Sequence, residues 1–233
     1  MSKGKIYLIP NLLGDSSVDK NIPKDVQKIT SELRYFIVEN IKIARRYLRK
    51  IDREFPIDDS SFFELNKHTN PNEISDFLEP VEKGFDIGII SDAGCPGIAD
   101  PGADVVKIAH QKNIQIVPLI GPSSILLALM SSGLNGQNFS FNGYLPKERN
   151  DKKKAIKYLE MKSKTSAQIF MDTPFRNMNL LEDVLNSCDD NTLLCIACDI
   201  TLDSEYIRTK TIAYWKKNIP NLNKRPCLFI LGN

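Results

Sequence analysis

The sequence predicts an α/β protein of two α/β domains, the N-terminal one on a mostly parallel sheet and the C-terminal one on a mixed sheet. Three observations carry this. Short runs rich in Val, Ile and aromatic residues alternate with helical patterns through the first half of the chain. A Gly-Pro break follows at Gly121 and Pro122. Beyond it, strand-like runs crowd together as antiparallel neighbours do, notably from Leu193 to Lys210. At 233 residues the chain suffices for one large or two small domains.

The elements follow in order. "KIYLI" (5–9), "YFIVE" (35–39), "FFEL" (62–65) and "DIGIIS" (86–91) read as strands. Between them, "PKDVQKITSE" (23–32), "IKIARRYLRKIDRE" (41–54) and "PNEISDFLEPVEK" (71–83) read as helices. A helix "GADVVKIAHQK" (102–112) then leads into a strand "IQIVPLI" (114–120). Alternation at this spacing implies βαβ units and a parallel sheet covered on both faces. At "LIGPS" the chain breaks, and Ser123 or Ser124 can cap the helix "ILLALMSSGL" (125–134). The strands "FSFNGYL", "SAQIFMD", "TLLCIACD", "EYIRTK" and "PCLFILG" follow, with helices near 151–162 and 176–187. The expected domains are 1–119 and 120–233.

Composition excludes several classes. The hydrophobic fraction of 42% and charged fraction of 26% are those of an ordinary globular protein, and a net charge of +2 exerts no strong pull on nucleic acid or anionic lipid. The opening "MSKGKIYLIP" holds too short an apolar run for a signal peptide or a membrane span, so no membrane partner and a cytoplasmic location are expected. The five cysteines are scattered. Cys195 and Cys198 form a C-x-x-C inside "TLLCIAC", but no second ligand pair accompanies them. They read as small apolar core residues rather than a zinc or redox site, and no metal is expected.

The stretch richest in chemistry is "SDAGCPGIADPG" (91–102). It leaves the carboxyl end of a predicted buried parallel strand, where open α/β sheets place ligands. Gly94, Gly97 and Gly102 let backbone amides approach a ligand, and Asp92 and Asp100 suit an amine, a hydroxyl or a positive centre. No G-x-G-x-x-G or G-K-[ST] is present, which disfavours a phosphate group. The same residues also fit a tight turn ahead of a Pro-Gly helix start, with Asp92 capping loop amides. Spacing alone leaves both readings open.

This segment resembles the S-adenosylmethionine-binding loop of the tetrapyrrole methylase superfamily, the class III methyltransferases. Its likeness is greatest to the bacterial family that 2′-O-methylates a cytidine of 16S ribosomal RNA, whose loop runs S-D-A-G-T-P-x-x-x-D-P-G. "GKIYLIPNLLGD", "VPLIGPSSILLALMSSGL" and "FSFNGYLPKERNDKKKAI" resemble further motifs of that family, in the same order along nearly the whole chain. The chain departs from the pattern at Asn11-Leu12 (Thr-Pro in the family), at Asn40-Ile41-Lys42 (Asp-Thr-Arg), at Asp172-Thr173 (Glu-Ser) and at Cys198-Asp199 (Arg-Glu).

The resemblance implies a cofactor cleft between the domains and S-adenosyl-L-methionine as cofactor. Asp92, Gly94 and Cys95 would hold its methionine part, with Ser123, Ser124 and Ile125 closing over it and Pro10 lining the pocket. Met171 and Ala197 would face the adenosine, and Pro226 and Cys227 would contact adenine. Ile125 and Ala197 read equally as core. Glu39 and Asp92 are the candidate catalytic carboxylates, because a ribose hydroxyl is a poor nucleophile and gains from a base. His68 resembles a polar stretch of the RNA family, whereas His110 reads as helix surface.

For an RNA substrate the basic runs are "ARRYLRK" (44–50) and "LPKERNDKKK" (145–154), and both also fit solvated helix faces. Lys147 and Arg149 are the candidate substrate contacts, since their run follows a cleft-lining family motif. RNA methylation stands beside two alternatives: methylation of a tetrapyrrole or other small molecule, and a cofactor-binding paralogue with altered substrate. The superfamily also implies a homodimer.

Overall fold

The computed structural model describes residues 3–66, 69–70 and 73–233, and the chain divides into two compact units, Met1–Ser123 and Ser124–Asn233. The first unit runs β1 (Lys5–Ile9), α1 (Val18–Asn21), α2 (Lys24–Glu32), β2 (Tyr35–Val38), α3 (Ile41–Ile51) and β3 (Ser61–Glu64). A 3₁₀ turn at Asp76–Leu78 then leads into α4 (Glu79–Glu82), β4 (Ile87–Ile90), α5 (Gly102–Gln111) and β5 (Gln115–Pro118). The five strands are all parallel, in the order β3-β2-β4-β1-β5.

Both faces of this sheet are covered. Ile9, Phe36, Val38 and Ile90 pack with Val26 of α2 and Ala44, Tyr47 and Leu48 of α3. Ile6, Ile37, Ile87 and Ile89 pack on the opposite face with Val81 of α4 and Val105 and Ala109 of α5. Every residue of β4 is buried, as expected for a central parallel strand. One expected helix shrinks. "PNEISDFLEPVEK", whose first two residues lie outside the described ones, yields only the 3₁₀ turn and four-residue α4. Pro80 explains the limit, because its ring is tolerated only in the first helical turn.

The second unit runs α6 (Ser124–Ser132), β6 (Phe139–Tyr144), α7 (Arg149–Ser163), β7 (Ala167–Met171) and α8 (Asn177–Ser187). It continues through β8 (Leu193–Cys198), β9 (Tyr206–Thr211), α9 (Ile212–Lys217) and β10 (Cys227–Gly232). Its sheet order is β6-β7-β10-β8-β9. Only β6 and β7 pair in parallel, so the sheet is mixed. One face buries Phe170, Ile196 and Phe229 against Ile156, Leu180, Val184 and Trp215 of α7, α8 and α9. Alternate residues, Met171, Ala197 and Leu228 among them, point to the other face, which α6 contacts. Cys188, Cys195, Cys198 and Cys227 are buried as free thiols, and Cys198 lies opposite Cys227 in the β8–β10 register. Among the described residues no helix is long and apolar enough to cross a membrane.

Candidate active site

The insertion of β4 between β2 and β1 brings three carboxyl ends side by side. Glu39 follows β2, Ser91 and Asp92 follow β4, and Pro10 and Asn11 follow β1. Buried Asn11 clasps this edge. Its Nδ2 donates to the Ser91 and Asp92 carbonyls at 3.0 and 3.1 Å, and its Oδ1 accepts from the Leu12 amide at 2.7 Å. Its backbone exchanges hydrogen bonds with Gly94, at 2.8 and 3.1 Å. Gly94 sits at φ +71°, a conformation that glycine adopts without strain. The Tyr47 hydroxyl, buried on α3, donates to the Pro10 carbonyl at 2.6 Å. Gly121 lets the chain after β5 lie on Pro10, because a Cβ there would stand 2.2 Å from the proline ring.

The two loop aspartates differ. Asp100 is the turn residue: its carboxylate accepts from Gly97 N at 2.9 and 3.0 Å and from Gly102 N at 2.7 Å. Among the described residues Asp92 caps no amide, and its Oδ1 is buried without a hydrogen-bond partner, while its own N–H donates to Glu39 Oε2 at 3.1 Å. Burial, reinforced by the charges of Glu39 and Glu64, pushes the Asp92 carboxyl up to about 6. An unpaired carboxylate held beside like charges is poised to receive a cation.

Asp92 also stands where two clefts meet. One, of about 450 Å³, is lined by Asn11–Asp15, Tyr47, Arg46 and Lys50. The other, of about 620 Å³, is lined by Glu39, Asn40, Asn66 and Ala99–Pro101. Cys95 is half-buried, with its Sγ 3.5 Å from the Pro122 carbonyl. Ser123 ends the first unit.

In the second unit, Ser124 and Ile125 open α6 and are half-buried. Met171 and Ala197 flank Leu228 in one row across β7, β10 and β8. Ala197 is fully buried, so its side chain offers no accessible surface. Exposed Pro226 accepts from the Asp199 amide at 2.9 Å, and Cys227 beside it is buried. Lys147 and Arg149 are exposed at the start of α7. The rest of their run is divided, with Lys152 buried against Asp183 at 3.2 Å and Lys154 paired to Asp151 at 3.6 Å. His110 is exposed on α5, and His68 lies outside the described residues.

No family model matches the chain. Curated relatives do. A protein of Buchnera aphidicola subsp. Schizaphis graminum, named ribosomal RNA small subunit methyltransferase I, is 28% identical over 231 residues, 98% of this chain and 78% of its own length. The Escherichia coli O157:H7 protein of that name is 25% identical over 99% of this chain and 78% of itself. The Synechocystis protein is 30% identical over 74% of this chain and 61% of itself. Among solved structures, that of the methyltransferase CobJ superposes with a TM-score of 0.65 at 15% identity, covering 99% of this chain and 94% of its own. Along nearly its whole length the chain is similar to proteins named ribosomal RNA small subunit methyltransferase I, and it shares the fold of the methyltransferase CobJ. It is a methyltransferase.

The chain's methyltransferase relatives imply a methyl donor of the S-adenosylmethionine type, and the unpartnered Asp92 oxygen fits a donor bearing positive charge. Sequence reasoning missed two parts of this edge. Asn11 appeared only as a departure from the family's Thr, yet it ties β1 to the loop 80 residues away. Tyr47 gave no signal beyond its place on the apolar stripe of α3, because its partner Pro10 is 37 residues distant. Among the described residues no group of three or more His, Cys, Asp or Glu is placed to hold a metal ion.

Proposed function

We propose that this methyltransferase uses S-adenosyl-L-methionine to methylate RNA of the small ribosomal subunit, at a ribose hydroxyl. The observation that carries the cofactor reading is the buried, unpaired Oδ1 of Asp92 at the carboxyl edge of the parallel sheet. The RNA reading rests on the names of the curated relatives. Gly94 and Cys95 supply backbone beside Asp92, and Pro10, Ser123, Ser124 and Ile125 complete the methionine end of the proposed set. The Met171–Leu228–Ala197 row, with Pro226 and Cys227, supplies the adenosine end, Ala197 through its backbone alone.

When bound, the cofactor supplies an already activated methyl group and departs as S-adenosylhomocysteine. The chain's own work is positioning and charge. Asp92 is mostly ionised at pH 7 and attracts the positive end of the cofactor. Glu39 fixes the Asp92 backbone through one oxygen and has a second to accept the proton of the attacking hydroxyl. Fixed geometry is worth up to ~7–11 kcal/mol in the best intramolecular cases. A ribosomal substrate places the reaction in the cytoplasm, and the superfamily resemblance points to a homodimer, which light scattering at micromolar protein would show as twice the monomer mass.

The test is methylation of small ribosomal subunits, and of their isolated RNA, from cells lacking this chain, with methyl-labelled cofactor. Label recovered in RNA as an alkali-resistant dinucleotide supports ribose methylation. Label in RNA without that resistance moves the acceptor to a base. Cofactor binding with no label in RNA removes the RNA reading.

A further inference from the structure

Helix α3 carries five cations on one face. Lys42, Arg45, Arg46, Arg49 and Lys50 recur at helical spacing and are all exposed, while Ala44, Tyr47 and Leu48 on the other face are buried. The helix contains no acidic residue. Cations three and four residues apart repel one another, and a merely solvated helix intersperses acids among them. One of the five has its charge paired, Lys50 by Asp15, while Arg49 donates to the Arg53 carbonyl and keeps its charge. Arg45 lies over the Phe62 ring, 5.2 Å from its centre. The side chains of Lys42 and Arg46 meet no hydrogen-bond or ion-pair partner among the described residues.

These cations line a groove of about 750 Å³ floored by Ile41 and Ile57, with Asp58 as its one acidic wall residue. Arg46 and Lys50 also line the 450 Å³ cleft that contains Asp92. The groove therefore leads to the candidate active site without leaving the first unit. From Lys42 to Lys50 the helix rises about 12 Å, which spans about three phosphates of a stacked strand.

We propose that α3 is the track for the ribose-phosphate backbone of a single-stranded RNA segment entering the Asp92 cleft. This rests on the RNA reading above and names the surface that reading lacks. A membrane is the less suitable anion, because a helix that lies on lipid keeps an exposed apolar face and that of α3 is built into the core. The second basic run is the less suitable surface, because Glu148 and Asp151 lie among its cations and Lys152 is buried against Asp183.

The test is fluorescence anisotropy with a labelled 12-nucleotide single-stranded RNA of mixed sequence, titrated across a salt series. For the full chain, log K should fall with log salt. Each phosphate contact contributes a slope of about −0.7 on a single strand, so the variant K42A/R46A/R49A should lose about 2 from the slope. Its affinity at 50 mM salt should fall at least tenfold, with an unchanged far-UV circular dichroism spectrum and thermal melting curve reporting an intact fold. The equal charge change K153A/K154A/K157A on α7 should leave the slope nearly unaltered, and R46K/R49K should keep it. Should the triple variant fold poorly, R46A alone should cost about 0.7 of slope. A parental slope in the α3 variant overturns the proposal and spares the RNA reading. No salt-dependent RNA binding by the parent overturns both, as does binding to phosphatidylserine vesicles in place of RNA.

Discussion

Asp92 and Asp100 share a side chain and divide two tasks. Asp100 spends its oxygens on the Gly97 and Gly102 amides and shapes the loop. Asp92 spends none and stays available at a site where its charge is uncomfortable. That discomfort has a measurable sign. With the native carboxyl near 6 and the unfolded one near its ordinary value, the native state holds the proton more tightly. The penalty of ionised Asp92 is absent below about pH 4, grows as pH rises to about 6 and is constant above. Urea unfolding of Asp92→Asn should therefore show a gain of about 1 kcal/mol at pH 7, discounted for partial exposure, and almost none at pH 4. A loss at pH 7 would mean that the carboxylate has a stabilising partner. Gly121→Ala tests the opposite kind of residue. Its new methyl would stand 2.2 Å from the Pro10 ring, so thermal unfolding should register a loss of about 1–3 kcal/mol.

At the scale of elements, α3 joins the fold to the site. Its apolar stripe packs beneath the sheet, Tyr47 reaches the end of β1, and its outer face holds the cation row. With like charges crowded along it, the helix depends on its cap. Asn40 Oδ1 accepts from the Lys42 and Ile43 amides at 3.0 and 3.2 Å. Asn40→Ala should cost about 1 kcal/mol in chemical denaturation, and Asn40→Asp should restore it by capping equally well and adding a negative charge at the helix start. Most elements were legible because their periods were unambiguous: β-branched runs for the strands, an apolar stripe for α3. Two were not. In "PNEISDFLEPVEK" the apolar spacing outweighed Pro80, whose ring cut the helix to four residues. The six residues of α9, "IAYWKK", are too few to display a period and follow β9 directly.

At the scale of the molecule, the sequence supplied the alternation of strands and helices but not their adjacency. Nothing in the order of elements states that β4 slots between β2 and β1, yet that insertion is what lines up Glu39, Asp92 and Pro10. The glycine-rich loop and its aspartates were legible because turn chemistry is local. Asn11 and Tyr47 were not, because what they do depends on partners 80 and 37 residues away. These levels meet at one point: the unpaired Asp92 carboxylate receives the positive charge of the methyl donor. Calorimetric titration with S-adenosylmethionine at pH 7.5 and pH 5.5, for the parent and Asp92→Asn, measures it directly. The parent should bind about fourfold more weakly at pH 5.5, as the carboxyl takes up its proton. Asp92→Asn should bind about ten- to a hundredfold more weakly than the parent at pH 7.5, with that pH dependence gone. An Asn variant that binds as tightly as the parent, with the same response to pH, would contradict the claim.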